Sequence, residues 1–161
     1  MSQTEVAVLA AGCFWGVEDL LRKVPGVIDT EVGYTGGHGE PNYEHVKTGK
    51  TGHAEAISIT YDPKALSYSH LLGLFFKLHD PTTLNRQGND VGTQYRSAIF
   101  VSSPEQRQNA MEVIKEQAKH WPHSISTTVE ELKAFYSAEE YHQDYLLKNP
   151  GGYTCHYWRT S

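Results

Sequence analysis

One stretch constrains this chain more than any other. An unbroken apolar segment, Val6-Ala7-Val8-Leu9-Ala10-Ala11, runs through Gly12-Cys13-Phe14-Trp15-Gly16 into Val17-Glu18-Asp19-Leu20-Leu21-Arg22-Lys23. The first segment reads as a buried strand. The last carries Phe14, Val17, Leu20 or Leu21 and Val24 at helical spacing, and Pro25-Gly26 ends it. Cys13 is therefore expected at a strand-to-helix junction, in the first helical turn. Unpaired amide donors and the positive end of the helix dipole meet there. Both favour a thiolate, so a pKa below the ~8.5 of a free cysteine is expected. Gly12 and Gly16 let other atoms approach closely, and Phe14 and Trp15 put two large rings beside the sulfur. Two readings are open on these residues. One is a nucleophilic cysteine in an aromatic pocket; the other is a buried structural cysteine, the commoner fate of a lone thiol near a strand end.

Size and charge narrow the class. A chain of 161 residues suits one domain, 1–161, with a real core. The net charge is -5 and the 14 basic residues are scattered, which argues against a nucleic-acid partner. No apolar run approaches the roughly 20 residues needed to span a bilayer, so no membrane partner is expected. Met1-Ser2-Gln3-Thr4-Glu5 lacks the positive region of a signal peptide. A soluble, cytoplasmic protein is the expectation. The two cysteines, Cys13 and Cys155, are too few for a disulfide scaffold and lack CxxC spacing. In a reducing compartment such a pair is either unrelated or forms a transient catalytic bridge. The nine histidines are spread widely, and no metal site is expected.

Along the chain, Val27 to Tyr34 alternates loosely and reads as a strand, followed by a Gly- and Pro-rich loop, Thr35 to Asn42. Tyr43 to Lys47 reads as a helical turn closed by Gly49. Ala54 to Tyr61 alternates with period two, and Asp62-Pro63-Lys64 turns the chain. Ser67 should cap a helix to about His79, burying Tyr68, Leu71, Leu72, Phe75 and Leu78. Asp80 to Tyr95 is a long loop without periodicity, a class more often functional than idle. Ser97 to Ser102 reads as a buried strand. Ser103-Pro104-Glu105-Gln106 has capping-box form and should open a helix to about Lys119. Ser126 to Leu132 reads as an edge strand, and Ser137-Ala138-Glu139-Glu140 as a second capping box opening a helix to about Lys148. Tyr153 to Ser161 is a polar and aromatic tail. Strands and helices in this mixed order imply one α+β domain.

Glu55 stands among Ala54, Ala56, Ile57 and Ile59. Buried there, a carboxylate is costly unless protonated, and a neutral carboxyl can act as a general acid. The competing reading points Glu55 to solvent. Tyr43 and Tyr95, two of ten tyrosines, adjoin polar or glycine-rich loops where a phenol can donate a hydrogen bond; ring burial is the plainer explanation of either. Asp90 reads as a turn residue on spacing alone. A thiol attacking an electrophile, with a second cysteine in a glycine-containing tail, fits redox chemistry better than hydrolysis.

Five segments then carry a resemblance. Gly12-Cys13-Phe14-Trp15-Gly16, Gly33-Tyr34-Thr35-Gly36-Gly37, Gly52-His53-Ala54-Glu55-Ala56, Gly92-Thr93-Gln94-Tyr95-Arg96-Ser97 and Tyr141-His142-Gln143-Asp144-Tyr145-Leu146 occur in order. From about Val6 to Tyr157 the chain resembles the peptide methionine sulfoxide reductase A family. The resemblance implies a two-layer α/β sandwich with a ferredoxin-like core and an irregular C-terminal tail, 149–161, that carries Cys155. It implies reduction of methionine S-sulfoxide, free or in proteins, and so the repair of oxidised proteins under oxidative stress. Cys13 would attack the sulfoxide sulfur and become a sulfenic acid. Phe14 and Trp15 would hold the substrate methyl group. Glu55 would protonate the oxygen, Tyr43 and Tyr95 would hydrogen-bond it, and Asp90 would help hold the polar network. The tail resembles that of shorter two-cysteine members, so a direct Cys13–Cys155 disulfide is implied, with thioredoxin as its reductant. No cofactor and a monomeric state are expected. A thiol redox sensor that forms the same disulfide without turnover is the alternative, and Glu55 discriminates, because a sensor needs no proton donor.

Overall fold

The computed structural model describes residues 4–39, 41–48 and 50–159. Strand β1 (Glu5–Ala11) leads into helix α1 (Phe14–Leu21), then β2 (Val27–Thr35), the short helix α2 (Tyr43–Val46), β3 (Ala54–Tyr61) and α3 (Tyr68–Leu78). A two-stranded hairpin, β4 (Arg86–Gln87) and β5 (Asp90–Val91), precedes β6 (Ser97–Val101) and α4 (Pro104–Gln117). Strands β7 (Thr128–Glu131) and β8 (Phe135–Ser137) and the single turn α5 (Tyr145–Lys148) complete the order. The main sheet runs β7-β6-β1-β3-β2-β8. Among the described residues, only the β6–β7 pairing of this sheet is parallel. The result is an α+β fold built on one mixed sheet.

The central position of β1 explains its unbroken apolar run. It pairs with β3 on one side and β6 on the other. Side chains alternate faces along a strand. Ala7, Leu9 and Ala11 join the larger core cluster, with Phe14, Val17 and Leu21 of α1 and Leu71, Leu72, Phe75 and Phe76 of α3. Val8 and Ala10 join a smaller cluster of Ala54, Ala56, Ala98 and Phe100 on the opposite face. A strand covered on both faces has no polar position to spare.

Caps follow the expected chemistry. Ser67 Oγ accepts from the His70 amide and Ser103 Oγ from the Gln106 amide, each at 3.1 Å. Asn42 caps α2 by accepting from the His45 amide; Gly49, expected to close that turn, lies outside the described residues. Helix α1 ends at Leu21, short of Val24. The long loop from Asp80 contains the β4–β5 hairpin and a 3-10 turn, Thr93–Tyr95.

The second capping box is not one. Ser137 pairs with Gly33 at the sheet edge, and the Ala138 amide donates to Val32 O. The Gln143 side chain bonds both the amide and the carbonyl of Val32. With Glu139 also drawn to Tyr34 and Tyr43, the segment is held by the edge of β2. It forms a 3-10 turn, Glu140–His142, then passes through a left-handed Asp144 (φ 53) into α5. No helix among the described residues is long and apolar enough to cross a membrane.

Candidate active site

Cys13 immediately precedes α1, in extended backbone at φ -56 and ψ 121. Gly12 makes the corner with φ +93, and a side chain on it would meet Gln87 at 2.8 Å. Cys13 is 8% exposed and Glu55 is 2% exposed. Glu55 has the same parity on β3 as Ile57 and Ile59, which belong to the larger core, so it faces the layer that contains α1. The Phe14 amide, one of the donors left free at the helix start, donates to Glu55 Oε1 at 3.2 Å. Burial pushes the Glu55 carboxyl up to about 8; the Phe14 amide opposes this and the Asp90 charge adds to it. Glu55 thus holds a proton at neutral pH and does not point to solvent.

The expectation of a depressed Cys13 pKa is corrected. Burial pushes the thiol up, the Glu55 charge adds to this, and the Trp15 amide opposes it. The physical reason lies in the helix start itself. One of its amides is given to Glu55, and the sulfur is taken out of water. The resting centre is a neutral thiol beside a neutral carboxyl.

Two phenols join this centre. Burial pushes Tyr43 up to about 12, with the charges of Glu55 and Cys13 next in size. Burial also pushes Tyr95 well above the ordinary tyrosine range, followed by Glu55, Asp90, Tyr43 and Cys13. Each phenol therefore lies within electrostatic reach of both the Glu55 carboxyl and the Cys13 thiol. Both stay protonated and can donate. The loops that carry them are tied together by other motif residues. Gln94 Nε2 donates to Lys47 O at 3.0 Å, joining the 3-10 turn of Tyr95 to the end of α2. Arg96 donates to the carbonyls of Gly52, Thr93 and Gly36 and pairs with Glu130 at 3.2 Å. His53 accepts from the Gly37 amide and donates to Gly39 O.

The aromatic side of the site has a centre that the sequence only hinted at. Trp15 stacks on Tyr145, centroids 3.8 Å apart and planes 9° apart, and its Nε1 donates to His142 Nδ1 at 2.9 Å. His142 is fully buried and also touches Phe14 and Tyr43, at 5.2 and 4.3 Å between centroids. Glu139 accepts from the Tyr34 hydroxyl and the Tyr43 amide, both at 2.8 Å. Neither His142 nor Glu139 was singled out from the sequence. His142 lay inside the Tyr141–Leu146 pattern, and Glu139 was read as part of a helix start.

Asp90 sits on β5 and accepts from the Tyr153 hydroxyl at 3.3 Å. Its charge acts on both Glu55 and Cys13, which puts it beside the centre. Cys155 Sγ lies 4.0 Å from Asp90 Oδ2 and 3.9 Å from Gln87 O. Burial pushes the Cys155 thiol up, and Asp90 adds to it. Cys13 and Cys155 are both free thiols. The tail is irregular, as expected, but it is pinned. His156 Nε2 donates to Ala11 O at 2.6 Å, and the Arg159 amide donates to Lys77 O at 2.8 Å. A Cβ on Gly16 would overlap Thr154 Oγ1 and His156 Nδ1. The space left by Gly16 is thus filled by the tail. No cluster of three or more His, Cys, Asp or Glu that could hold a metal ion occurs among the described residues.

A buried thiol, a protonated carboxyl and two phenol donors suit attack on a polar centre whose oxygen must be protonated. The model of the family described as peptide methionine sulfoxide reductase matches residues 5–161. A peptide methionine sulfoxide reductase MsrA of Methanothermobacter thermautotrophicus is 56% identical over 153 residues, 93% of this chain and 90% of that protein. The crystal structure of Mxr1 from Saccharomyces cerevisiae in reduced form superposes with a TM-score of 0.94 at 41% identity, over 98% of this chain and 93% of that one. The structure of Mxr1 in complex with Trx2 superposes with a TM-score of 0.69 at 30% identity, over 98% and 91%.

Proposed function

This chain belongs to the peptide methionine sulfoxide reductase family, and from that premise we propose that it reduces methionine S-sulfoxide, free or in proteins, to methionine. The observation that carries the residue assignment is the 3.2 Å bond from the Phe14 amide to Glu55. It ties a proton-retaining carboxyl to the residue next to Cys13.

The reaction follows from these groups. Glu55 protonates the sulfoxide oxygen, and the Tyr43 and Tyr95 hydroxyls donate to it, which makes the sulfur electrophilic. The Glu55 carboxylate left behind takes the proton of the Cys13 thiol as that sulfur attacks, so the acid is restored. The Cys13 sulfur attacks the sulfoxide sulfur. The sulfur–oxygen bond of the substrate breaks, the hydroxyl passes to Cys13 as a sulfenic acid, and methionine leaves. Phe14 and Trp15 line the methyl subsite, with Trp15 oriented by Tyr145 and His142. Asp90 holds the polar rim with Tyr153.

Cys155 then attacks the sulfenic sulfur, giving a Cys13–Cys155 disulfide and water. A dithiol of the thioredoxin class reduces the disulfide; the Mxr1–Trx2 complex of a relative supports that partner. A cycle that ends in disulfide reduction belongs to a reducing compartment, which supports a cytoplasmic location and a role in protein repair. We read residues 1–161 as one catalytic domain. Its core fits a ferredoxin-like sandwich, because the β1-α1-β2-β3-α3-β6 path gives the antiparallel strand order β6-β1-β3-β2. Incubation with methionine S-sulfoxide and a dithiol reductant should release methionine continuously. No methionine would overturn the reading.

A further inference from the structure

The step that closes the disulfide needs a base, because a thiol attacks as its proton departs. This inference rests on Cys155 being the resolving thiol. The Tyr153 hydroxyl, protonated at neutral pH, bonds its sulfur, and three acceptors lie near it. His156 Nδ1 and Gln87 O are each 3.9 Å away, and Asp90 Oδ2 is 4.0 Å away. An amide carbonyl cannot take a proton at neutral pH. The state of the imidazole is set by its other nitrogen. His156 Nε2 lies 2.6 Å from Ala11 O, an acceptor only, so Nε2 carries the hydrogen and Nδ1 presents a lone pair.

We propose that His156 is the general base of disulfide closure. Its Nδ1 takes the Cys155 proton as Sγ attacks the Cys13 sulfenic acid, while the Ala11 carbonyl holds the ring in the accepting tautomer. The Cys155–Cys13 sulfur bond forms and the sulfur–oxygen bond of the sulfenic acid breaks. Cys155 is oxidised and the sulfenic sulfur reduced. The departing hydroxyl takes up one proton and His156 gives up the one it took, so the balance is one disulfide and one water. No outside oxidant enters.

The same bond has a second consequence. Ala11 lies two positions before Cys13 on the chain that ends β1. A single contact therefore orients the base and sets the register of the tail against the nucleophile. The absent side chain of Gly16 leaves the imidazole room to do this. Burial lowers His156 to about 4, so Nδ1 is unprotonated across the neutral range and, as a weak base, takes the proton only as the sulfur–sulfur bond forms. Cys155 is pushed the other way by burial and Asp90, so a ready-made thiolate is scarce. The titratable and charged groups that face His156 are Cys155 and Arg159 on the tail and His79 at the end of α3, with Asp90 beyond the sulfur. His79 is itself lowered to about 3 by burial and stays neutral. Asp90 is the competing base.

The test follows one turnover of the reduced full chain with methionine S-sulfoxide. Quenched samples are mapped for the Cys13–Cys155 peptide pair, counted only in chains that have released methionine. In the unaltered protein the closure rate should be flat between about pH 5.5 and pH 8, because the base is already deprotonated and the thiol is not. In His156→Gln the side-chain amide can still donate to Ala11 O but cannot take the proton. Closure should slow by about 100-fold near neutral pH and rise about tenfold per pH unit, as thiolate becomes the nucleophile. A His156→Gln protein with the original rate and a flat profile would overturn the proposal. Should that variant not fold, the unaltered protein and Asp90→Asn decide together: a closure rate rising about tenfold per unit in the unaltered protein, or a flat region lost in Asp90→Asn, overturns it, and a flat profile kept in Asp90→Asn sustains it. Loss of the flat region in Asp90→Asn but not in His156→Gln would assign the base to Asp90 instead. Methionine release without any Cys13–Cys155 pair would remove Cys155 itself from the resolving role.

Discussion

Replacing Glu55 by Gln should make this protein more stable and nearly inactive, two effects of opposite sign from one buried proton. The folded state keeps a proton on Glu55 up to about pH 8, whereas a free carboxyl releases it near 4.5. Between those values the folded chain binds more protons than the unfolded chain, so stability falls as pH rises. Each pH unit in that window is worth about 1.4 kcal/mol, which makes the cost of Glu55 ~3 kcal/mol at neutral pH and ~5 kcal/mol once the window is passed. Glutamine keeps an oxygen for the Phe14 amide and carries no charge, so it escapes that cost. Urea unfolding of both reduced proteins at acid, neutral and alkaline pH measures the difference. The gap should be near zero below about pH 4.5 and widen steadily to about pH 8. In the same preparations a single turnover should release methionine about 100-fold or more slowly, the usual worth of a general acid. A stability gap that does not change with pH would refute a proton on buried Glu55. An unchanged turnover would remove Glu55 from the acid role.

Three other perturbations test different parts of the site. Cys155→Ser should release about one methionine per chain and then stop with thioredoxin, as the sulfenic acid has no partner; sustained cycling would exclude Cys155. Gly16→Ala should destabilise the chain by about 1–3 kcal/mol, because the methyl overlaps Thr154 and His156, and faster proteolysis beyond Asn149 would report the released tail. Arg96→Ala leaves the carbonyls of Gly52, Thr93 and Gly36 and the Glu130 carboxylate without their donor. A loss of about 2–3 kcal/mol in denaturant unfolding is expected, together with a weaker substrate affinity as the Tyr95 loop loosens.

Local chemistry was legible in the residues. The β1 run, the α1 start, the alternation of β3 and the caps at Ser67 and Ser103 all follow from patterns that act within a few positions. The failure at Ser137–Glu140 has the opposite cause. The capping pattern was present, but the free edge of β2 and the side chain of Gln143 supplied better partners for the same backbone groups. Sequence spacing carries no record of a distant strand edge. His142 and His156 were overlooked for a similar reason. A histidine becomes informative when its second nitrogen has a fixed partner, and Trp15 and Ala11 are far away in sequence.

Cys13 marks where the two kinds of information divide. Its position after a buried strand, ahead of a helix and beside two rings, was determined by the chain alone, since strand, corner and helix are local. The direction of its pKa was not. The helix start promised stabilisation of a thiolate, and tertiary packing reversed it by burying the sulfur and turning the Phe14 amide toward Glu55. Whether a charge is tolerated depends on everything within several ångströms, and those neighbours come from β3, α2, the Thr93–Tyr95 turn and the tail. The sequence by itself determined that the thiol stands at a helix end; the fold decided that it waits there with its proton on, beside a buried carboxyl that keeps its own.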